Sequence, residues 1–230
     1  MTYEPVPLPS RPARDDAEVT AAAEAFRAAM RDRRSTRDFS DRPVPRAAIE
    51  AAVMAAASAP SGANHQPWHF AAVGDPGLKA RIREAAEREE EAFYAGGGGD
   101  EWLAALEPIG TGPGKPHLTT APWLVVVFAE RFGANPDGTR RKNYYVMESV
   151  GIATGFLIAA LHRAGLATLT HTPNPMGFLN ALLGRPAGEK PVMILAVGHA
   201  AKDATHPRAA AVKKPMDEVL SVFEGELRST

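Results

Sequence analysis

The chain has 230 residues, with 26 Lys and Arg against 27 Asp and Glu, 20 Gly, 20 Pro and no cysteine. That length suits one large domain or two small ones, and a net charge of -1 supplies no basic field for nucleic acid or for an anionic membrane surface. The missing cysteines remove disulfide scaffolds, thiolate metal sites and thiol nucleophiles together, and they fit a reducing compartment.

The first fifteen residues hold four prolines and no basic-then-apolar run, so no secretory signal is expected and the cytoplasm is the expected location. Over residues 15–34, Val19, Ala22, Phe26 and Met30 recur at helical spacing behind Asp15 or Asp16 as N-cap, which predicts an amphipathic helix. Pro45 opens an Ala-rich helix that runs to Ser58 and stops at the breakers Ala59, Pro60, Ser61 and Gly62. Residues 68–73 read as a strand and residues 76–94 as a long charged helix. The run from Gly96 to Gly99 follows, where each glycine costs a helix about 1 kcal/mol relative to Ala, so a mobile, non-helical segment is expected.

Residues 123–128 form a continuous β-branched and aromatic run, the pattern of a strand covered on both faces. Residues 143–164 predict a long buried helix closed by Gly165. Its segment 150–161 is apolar nearly all round, which calls for burial by neighbours, within the chain or from another subunit, yet it falls short of the ~18 residues of a membrane span. Strands at 166–170 and 192–197 flank a short helix at 178–183, and residues 202–230 are proline-broken and only partly helical. With no regular βαβ alternation, the chain reads as a single α+β domain over residues 1–230.

Several motifs fail on inspection. The stretch Gly110-Thr-Gly-Pro-Gly-Lys115 is no phosphate loop, since Ile109 replaces the required glycine and Pro116 the Mg²⁺-binding Ser or Thr. No G-x-G-x-x-G follows a strand, and the seven histidines show no metal-ligand spacing, so no metal site is expected.

Three segments carry more chemistry together than apart. Arg33, Arg34, Ser35 and Arg37 offer guanidinium forks and a hydroxyl to a phosphate, although cations at a helix end are common. The loop 59–68 is rich in small residues that allow close backbone approach to a planar ligand, or is a plain helix-to-strand turn. Thr168, Thr170 and Thr172 crowd a strand end, which β-propensity alone would also explain.

In order along the chain, R-R-S-x-R-x-F, P-V-P and A-P-S-x-x-N-x-Q-P-W-x-F resemble the nitroreductase superfamily of FMN enzymes. The stretches 89–94, Lys115 ahead of 120–122, 142–149, 170–173 and 183–186 resemble its iodotyrosine deiodinase branch, and the likeness runs from about residue 26 to 220. The resemblance implies a central, mostly antiparallel sheet flanked by helices. It also implies a homodimer with exchanged terminal segments, residues 202–230 packing on the partner, and two FMN sites at the subunit interface. Carried over by position, Arg33, Arg34, Ser35 and Arg37 would hold the FMN phosphate and the N1–C2=O edge of the ring, with Ser61 and Gly62 lining it. Thr172 would donate its hydroxyl to flavin N5 beside Thr170 and His171, Ala63 would offer its N–H to the substrate phenolate, and Lys213 stands where relatives carry an arginine.

Glu90 and Tyr94 are four residues apart and so share a helix face. With Lys115 they offer an anion for an ammonium, and a cation plus a hydroxyl for a carboxylate, which makes a receptor for an amino-acid zwitterion. Read alone, the acidic run is a solvated face in which Glu87, Glu89, Glu90 and Glu91 pair with Arg83 and Arg88. The resemblance favours the clamp and makes residues 90–115 a lid hinged at the glycine run. The function it implies is reductive dehalogenation of halotyrosine by an FMN enzyme, fed by NAD(P)H or a separate reductase, with no nucleic-acid or membrane partner. A generic nitro or quinone reductase and a non-catalytic flavin-binding protein are the alternatives.

Overall fold

The computed structural model describes residues 3–223, which divide into two compact units, one ending at Arg33 and one beginning at Arg34. Helix α1 (Asp16–Asp32) belongs to the first unit. Asp15 Oδ1 accepts from the Glu18 amide at 2.8 Å while Glu18 Oε2 accepts from the Asp15 amide at 3.0 Å, a reciprocal capping box. The expected apolar stripe is present, but no residue of α1 is buried, and Val19 and Phe26 are exposed.

The second unit is built on four antiparallel strands: β1 (Trp68–Val73), β2 (Trp123–Glu130), β5 (Ala167–His171) and β6 (Glu189–Gly198), in the order β1-β2-β6-β5. The alternation of a strand explains why β2 is apolar throughout. Leu124, Val126 and Phe128 pack with α3 (Pro76–Ala92) and α7 (Phe178–Leu183) on one face. Val125 packs on the other face with α2 (Arg46–Ala57) and α6 (Val146–Arg163). Each fully buried side chain of this kind contributes about 1.5–3 kcal/mol relative to exposure. The α+β reading with a mostly antiparallel sheet is therefore met.

Helix α6 departs from its expected form in two ways. It begins at Val146 rather than 143, because Tyr145 takes a left-handed backbone with φ 48°. At 18 residues it is also long and apolar enough, by length and composition alone, to cross a membrane. Ser149, Val150, Ala153, Thr154, Leu157 and Leu161 are buried inside the unit, whereas Met147, Ile152 and Phe156 stand exposed on the outer side. One chain thus buries only six of the 18 residues of this helix.

Other elements went unread in the sequence. They are α4 (Asp100–Leu106), the one-turn α5 (His117–Thr120), and the hairpin of β3 (Phe132–Ala134) with β4 (Arg140–Lys142). The glycine run is not free of helical structure as expected: Phe93–Gly97 forms a π-turn that Gly96 permits at φ 121°, and Gly99 follows at φ 74°. Two short helices, α8 (Arg208–Ala211) and α9 (Met216–Val219), lie in the proline-broken tail, and residues 224–230 of the expected C-terminal extension fall outside the described residues.

Candidate functional site

The free side of β5 is the first half of the site. The Thr36 amide donates to the Thr168 carbonyl at 3.1 Å, and Ser35 forms a parallel bridge with Thr168. This lays Arg34, Ser35 and Arg37 beside the strand whose end carries Thr170, His171 and Thr172.

Helix α3 supplies the opposing wall through a ladder of polar residues at positions 79, 83, 87 and 90. Lys79 Nζ donates to the Ala121 carbonyl at 2.7 Å and to those of Thr119 and Pro122 at 3.3 Å each. Arg83 reaches Thr119 Oγ1 at 3.1 Å and pairs with Glu87 at 2.8 Å. Glu87 Oε1 accepts from the Lys115 amide at 2.6 Å, and one turn on, Glu90 pairs with Lys115 Nζ at 2.9 Å. Lys115 Nζ also lies 5.5 Å from the centre of the Tyr94 ring. The side chains of Lys115 and Glu90 are only 5% and 13% exposed, so their charges meet in a poorly screened setting. The sequence-predicted trio of Glu90, Tyr94 and Lys115 is thereby brought together, while Arg88 pairs with Glu84 instead of the later glutamates.

A cavity of about 450 Å³ opens between these walls, lined by Arg37, Glu90, Tyr94, Lys115, Thr170, His171 and Thr172 on its polar side. Phe93, Trp102, Leu106 and Ile109 give it an apolar roof, with Trp102 edge-on to Phe93 at 5.0 Å between ring centres. The volume suits a ligand of drug size.

Two buried imidazoles sit behind the clamp, their rings 5.7 Å apart. Burial, then the positive Lys115, then His117 push His171 down to about 3, and burial followed by Lys115, Arg37 and Arg83 pushes His117 down to about 4, against the opposing pull of Glu87. Both rings are therefore neutral at pH 7. His171 Nε2 is buried without a hydrogen-bond partner and lies 3.9 Å from Glu90. For Glu87, burial works to raise the pKa, but the Lys115 amide and the Arg83 guanidinium outweigh it, so the group stays below the ordinary carboxylate range.

The remaining predicted residues lie elsewhere. Ser61, Gly62 and Ala63 lead into β1, at the opposite edge of the sheet from β5, and none lines the cavity. Within one chain the sheet order holds these segments apart, as an FMN site shared between two subunits would require. Their loop is closely built, with Ser61 Oγ accepting from the Gln66 amide at 2.9 Å and the Gly62 amide donating to Ser149 Oγ at 3.3 Å. A Cβ on Gly62 would stand 2.5 Å from the Tyr144 carbonyl oxygen, and Ala63, Asn64 and Gln66 hold φ values of 51°, 54° and 48°. Lys213 is exposed between α8 and α9 and does not line the cavity, and Arg33 caps α1 in the first unit.

Sequence reading missed the functional setting of Glu87, Arg83, His117, Phe93 and Trp102. The i, i+4, i+8 spacing of Lys79, Arg83 and Glu87 was the available signal. Away from the cavity, ligand atoms of His69, Glu130 and Glu189 fall within 4.8 Å of one another at the ends of three strands, a grouping no local spacing announces. Both Glu189 oxygens are bound by Arg185, which makes this an ion-pair network at the sheet end.

The sequence profile of the nitroreductase family matches residues 30–199. Iodotyrosine deiodinase of Haliscomenobacter hydrossis is 54% identical over 178 residues, 77% of this chain and 80% of that protein. Human iodotyrosine deiodinase 1 is 40% identical over 204 residues, 88% of this chain and 70% of that protein. A crystal structure of oxidized iodotyrosine deiodinase bound to FMN and 3-iodo-L-tyrosine superposes with TM-score 0.70 at 30% identity, covering 87% of this chain and 100% of that one. The shared ordering of motifs, the antiparallel sheet and these likenesses agree: the chain belongs to the nitroreductase family, on its iodotyrosine deiodinase branch.

Proposed function

We propose that the chain is an FMN-dependent reductive dehalogenase of halogenated tyrosines, releasing tyrosine and halide with electrons drawn ultimately from NAD(P)H. The observation that carries this reading is the buried Glu90–Lys115 pair, with Tyr94 beside it, facing a cavity that ends on Thr172.

The donors present fit FMN. Arg34, Ser35 and Arg37 run beside β5, a set suited to the phosphate and to the electron-rich edge of the ring. The left-handed Ala63, Asn64 and Gln66 hold a loop in a form that isolated chain avoids, the kind of strain found at ligand clamps. When bound, FMN supplies the two electrons that, with one proton, turn a carbon–halogen bond into carbon–hydrogen and free halide. Thr170 and Thr172 both line the cavity, and Lys213 would stand, by the resemblance, where relatives carry an arginine fork.

Binding of the zwitterion is an ion exchange. The ammonium takes Glu90 from Lys115, and the carboxylate takes Lys115 and the Tyr94 hydroxyl, so no unpaired charge is left buried. Phe93, Trp102 and Leu106 then cover the ring and exclude water, which makes residues 90–115 the lid of the site.

A homodimer belongs to the same reading. The bare Met147, Ile152 and Phe156 face of α6 adjoins the Tyr144–Tyr145 turn that packs on Gly62, and the uncovered apolar residues of α1 and the tail support exchanged termini. A second copy would bring the Ser61–Ala63 loop of one chain to the β5 edge of the other, with the Ala63 amide toward the phenolate. The cytoplasm, where NAD(P)H is available, is the compartment this reading assigns.

The test is anaerobic mixing of reduced, FMN-loaded protein with 3-iodotyrosine. Flavin reoxidation with one tyrosine and one iodide released per flavin supports the reading; no reoxidation sinks it for this substrate and leaves a nitro or quinone reductase or a flavin-binding protein. The Glu90→Gln and Tyr94→Phe variants should bind iodotyrosine at least about tenfold more weakly with FMN retained, as loss of a charged hydrogen bond requires. The breadth of the family supports one other reading, a nitro or quinone reductase. Thr172→Ala separates the two: dehalogenation slows while nitro reduction persists.

A further inference from the structure

We propose that Glu87, braced by Arg83, is a positioning residue that sets the distance between Lys115 and Glu90 and so tunes the site to a zwitterion; this rests on the clamp reading above. The ladder on α3 fastens the 115–122 segment at both ends. Lys79 and Arg83 hold the far end through the carbonyls of Thr119, Ala121 and Pro122 and the Thr119 hydroxyl. Among the hydrogen bonds of the described residues, the near end is held by Glu87, whose Oε1 takes the Lys115 amide at 2.6 Å and Arg83 Nε at 2.8 Å.

The chain before Lys115 provides little restraint of its own. Gly110, Gly112 and Gly114 precede it, and a Cβ at any of them would meet nothing within 4 Å. The Lys115 amide lies ahead of α5, which begins at His117, so no helical carbonyl is available to it. The Glu90–Lys115 pair at 2.9 Å and a longer 3.4 Å bond from Lys115 Nζ to Thr111 Oγ1 hold the lysine side chain, but the ion pair opens when a zwitterion enters. The Glu87 bond is made to the backbone and involves neither charged end of the clamp. Unlike the Leu118 amide bond to the Lys115 carbonyl and the bond to Thr111, it ties Lys115 to α3, survives loading and keeps the lysine at the right separation from Glu90.

The test uses FMN-loaded wild type, Glu87→Ala, Glu87→Gln, Lys115→Met and the double variant Glu87→Ala/Lys115→Met. Affinity is measured for 3-iodotyrosine and for 2-iodophenol, which lacks the zwitterion, alongside hydrogen exchange at the Lys115 amide. Glu87→Ala should weaken iodotyrosine about 10- to 100-fold, the range for a charge-assisted hydrogen bond, while 2-iodophenol affinity is unchanged and the Lys115 amide loses protection. Glu87→Gln should recover most of both, since its amide oxygen still accepts the Lys115 N–H. In the Lys115→Met background, Glu87→Ala should cost nothing further, because the side chain it positions is gone. Equal losses for both ligands, or an unchanged Lys115 amide, would overturn the assignment. If Glu87→Ala binds iodotyrosine as well as a competent wild type does, the positioning role alone fails; if wild type does not bind iodotyrosine, the clamp reading fails first and takes this role with it.

Discussion

The two edges of the central sheet carry residues expected of one site, but they are built on different principles. At the β5 edge charged side chains pair with one another, Glu90 with Lys115 in a buried setting and the partly buried Glu87 with Arg83 and the Lys115 amide. At the β1 edge the side chains are small and the tension is in the backbone, where Ala63, Asn64 and Gln66 adopt left-handed φ at a cost of order 1 kcal/mol or more each. Charge pairs can wait for a ligand because each charge is matched by its partner until the ligand arrives. A strained loop must be held by its surroundings, here the Ser61 hydroxyl, Ser149 and the Tyr144 carbonyl wall. The difference teaches that one chain holds a charged set and a backbone-strained set of the predicted site residues at opposite sheet edges, and the proposed homodimer is the arrangement that would join them.

The strongest test of that division is complementation. Lys115→Met disables the β5 edge and should cost at least about 100-fold in dehalogenation, as removal of one partner of a buried pair requires, and Gly62→Ala disables the β1 edge by displacing its loop from the Tyr144 carbonyl, with a comparable loss expected. If the halves join across subunits, equal mixing after subunit exchange restores about a quarter of wild-type activity, because half the dimers are mixed and each has one intact site. No recovery would place both halves in one chain. Next in size, Phe156→Glu on the bare side of α6 should shift sedimentation toward the monomer and cost FMN affinity; an unchanged dimer would clear that face of any role. Gly62→Ala should lower stability by about 1–3 kcal/mol through overlap with the Tyr144 carbonyl, a fall of roughly 2–12 °C in Tm for a chain of this size.

The smallest effect concerns pH and only the β5 edge. His171 and His117 titrate at about 3 and about 4 in the folded protein, below the ordinary value of about 6.5 they regain on unfolding. The unfolded chain therefore binds more protons below that value, so their contribution to stability is complete above about pH 6.5 and is lost as pH falls toward 4. Thermal melts of the His171→Asn and His117→Gln variants should show a shallower acid slope between pH 6.5 and 4.5, with no change in the slope above pH 7.

Local pattern made much of this legible. The β-branched run of β2, the breakers around Ser61 and Gly62, and the helical stripe of α1 read correctly because each depends on neighbours within a few residues. Glu90 and Tyr94 could be paired for the same reason. The one-turn α5 and the hairpin of Phe132–Ala134 with Arg140–Lys142 are too short to show a period, and α4 lies just after a glycine run that argues against helix. Lys115 reached the clamp on paper only through resemblance, since 25 residues of chain separate it from Glu90.

The sequence by itself determined the α+β class, the family and the chemical types at the site, because periodicity, breakers and ordered motifs are one-dimensional. Only the tertiary structure decided which groups meet. It turned a solvated-looking acidic face into a ladder, because α3 packs against the segment that carries Lys115 and their polar groups must find partners there. It also sent Ser61–Ala63 and Thr170–Thr172 to opposite edges, because strand order depends on which strands pair across the sheet, and no stretch of sequence a few residues long contains that information.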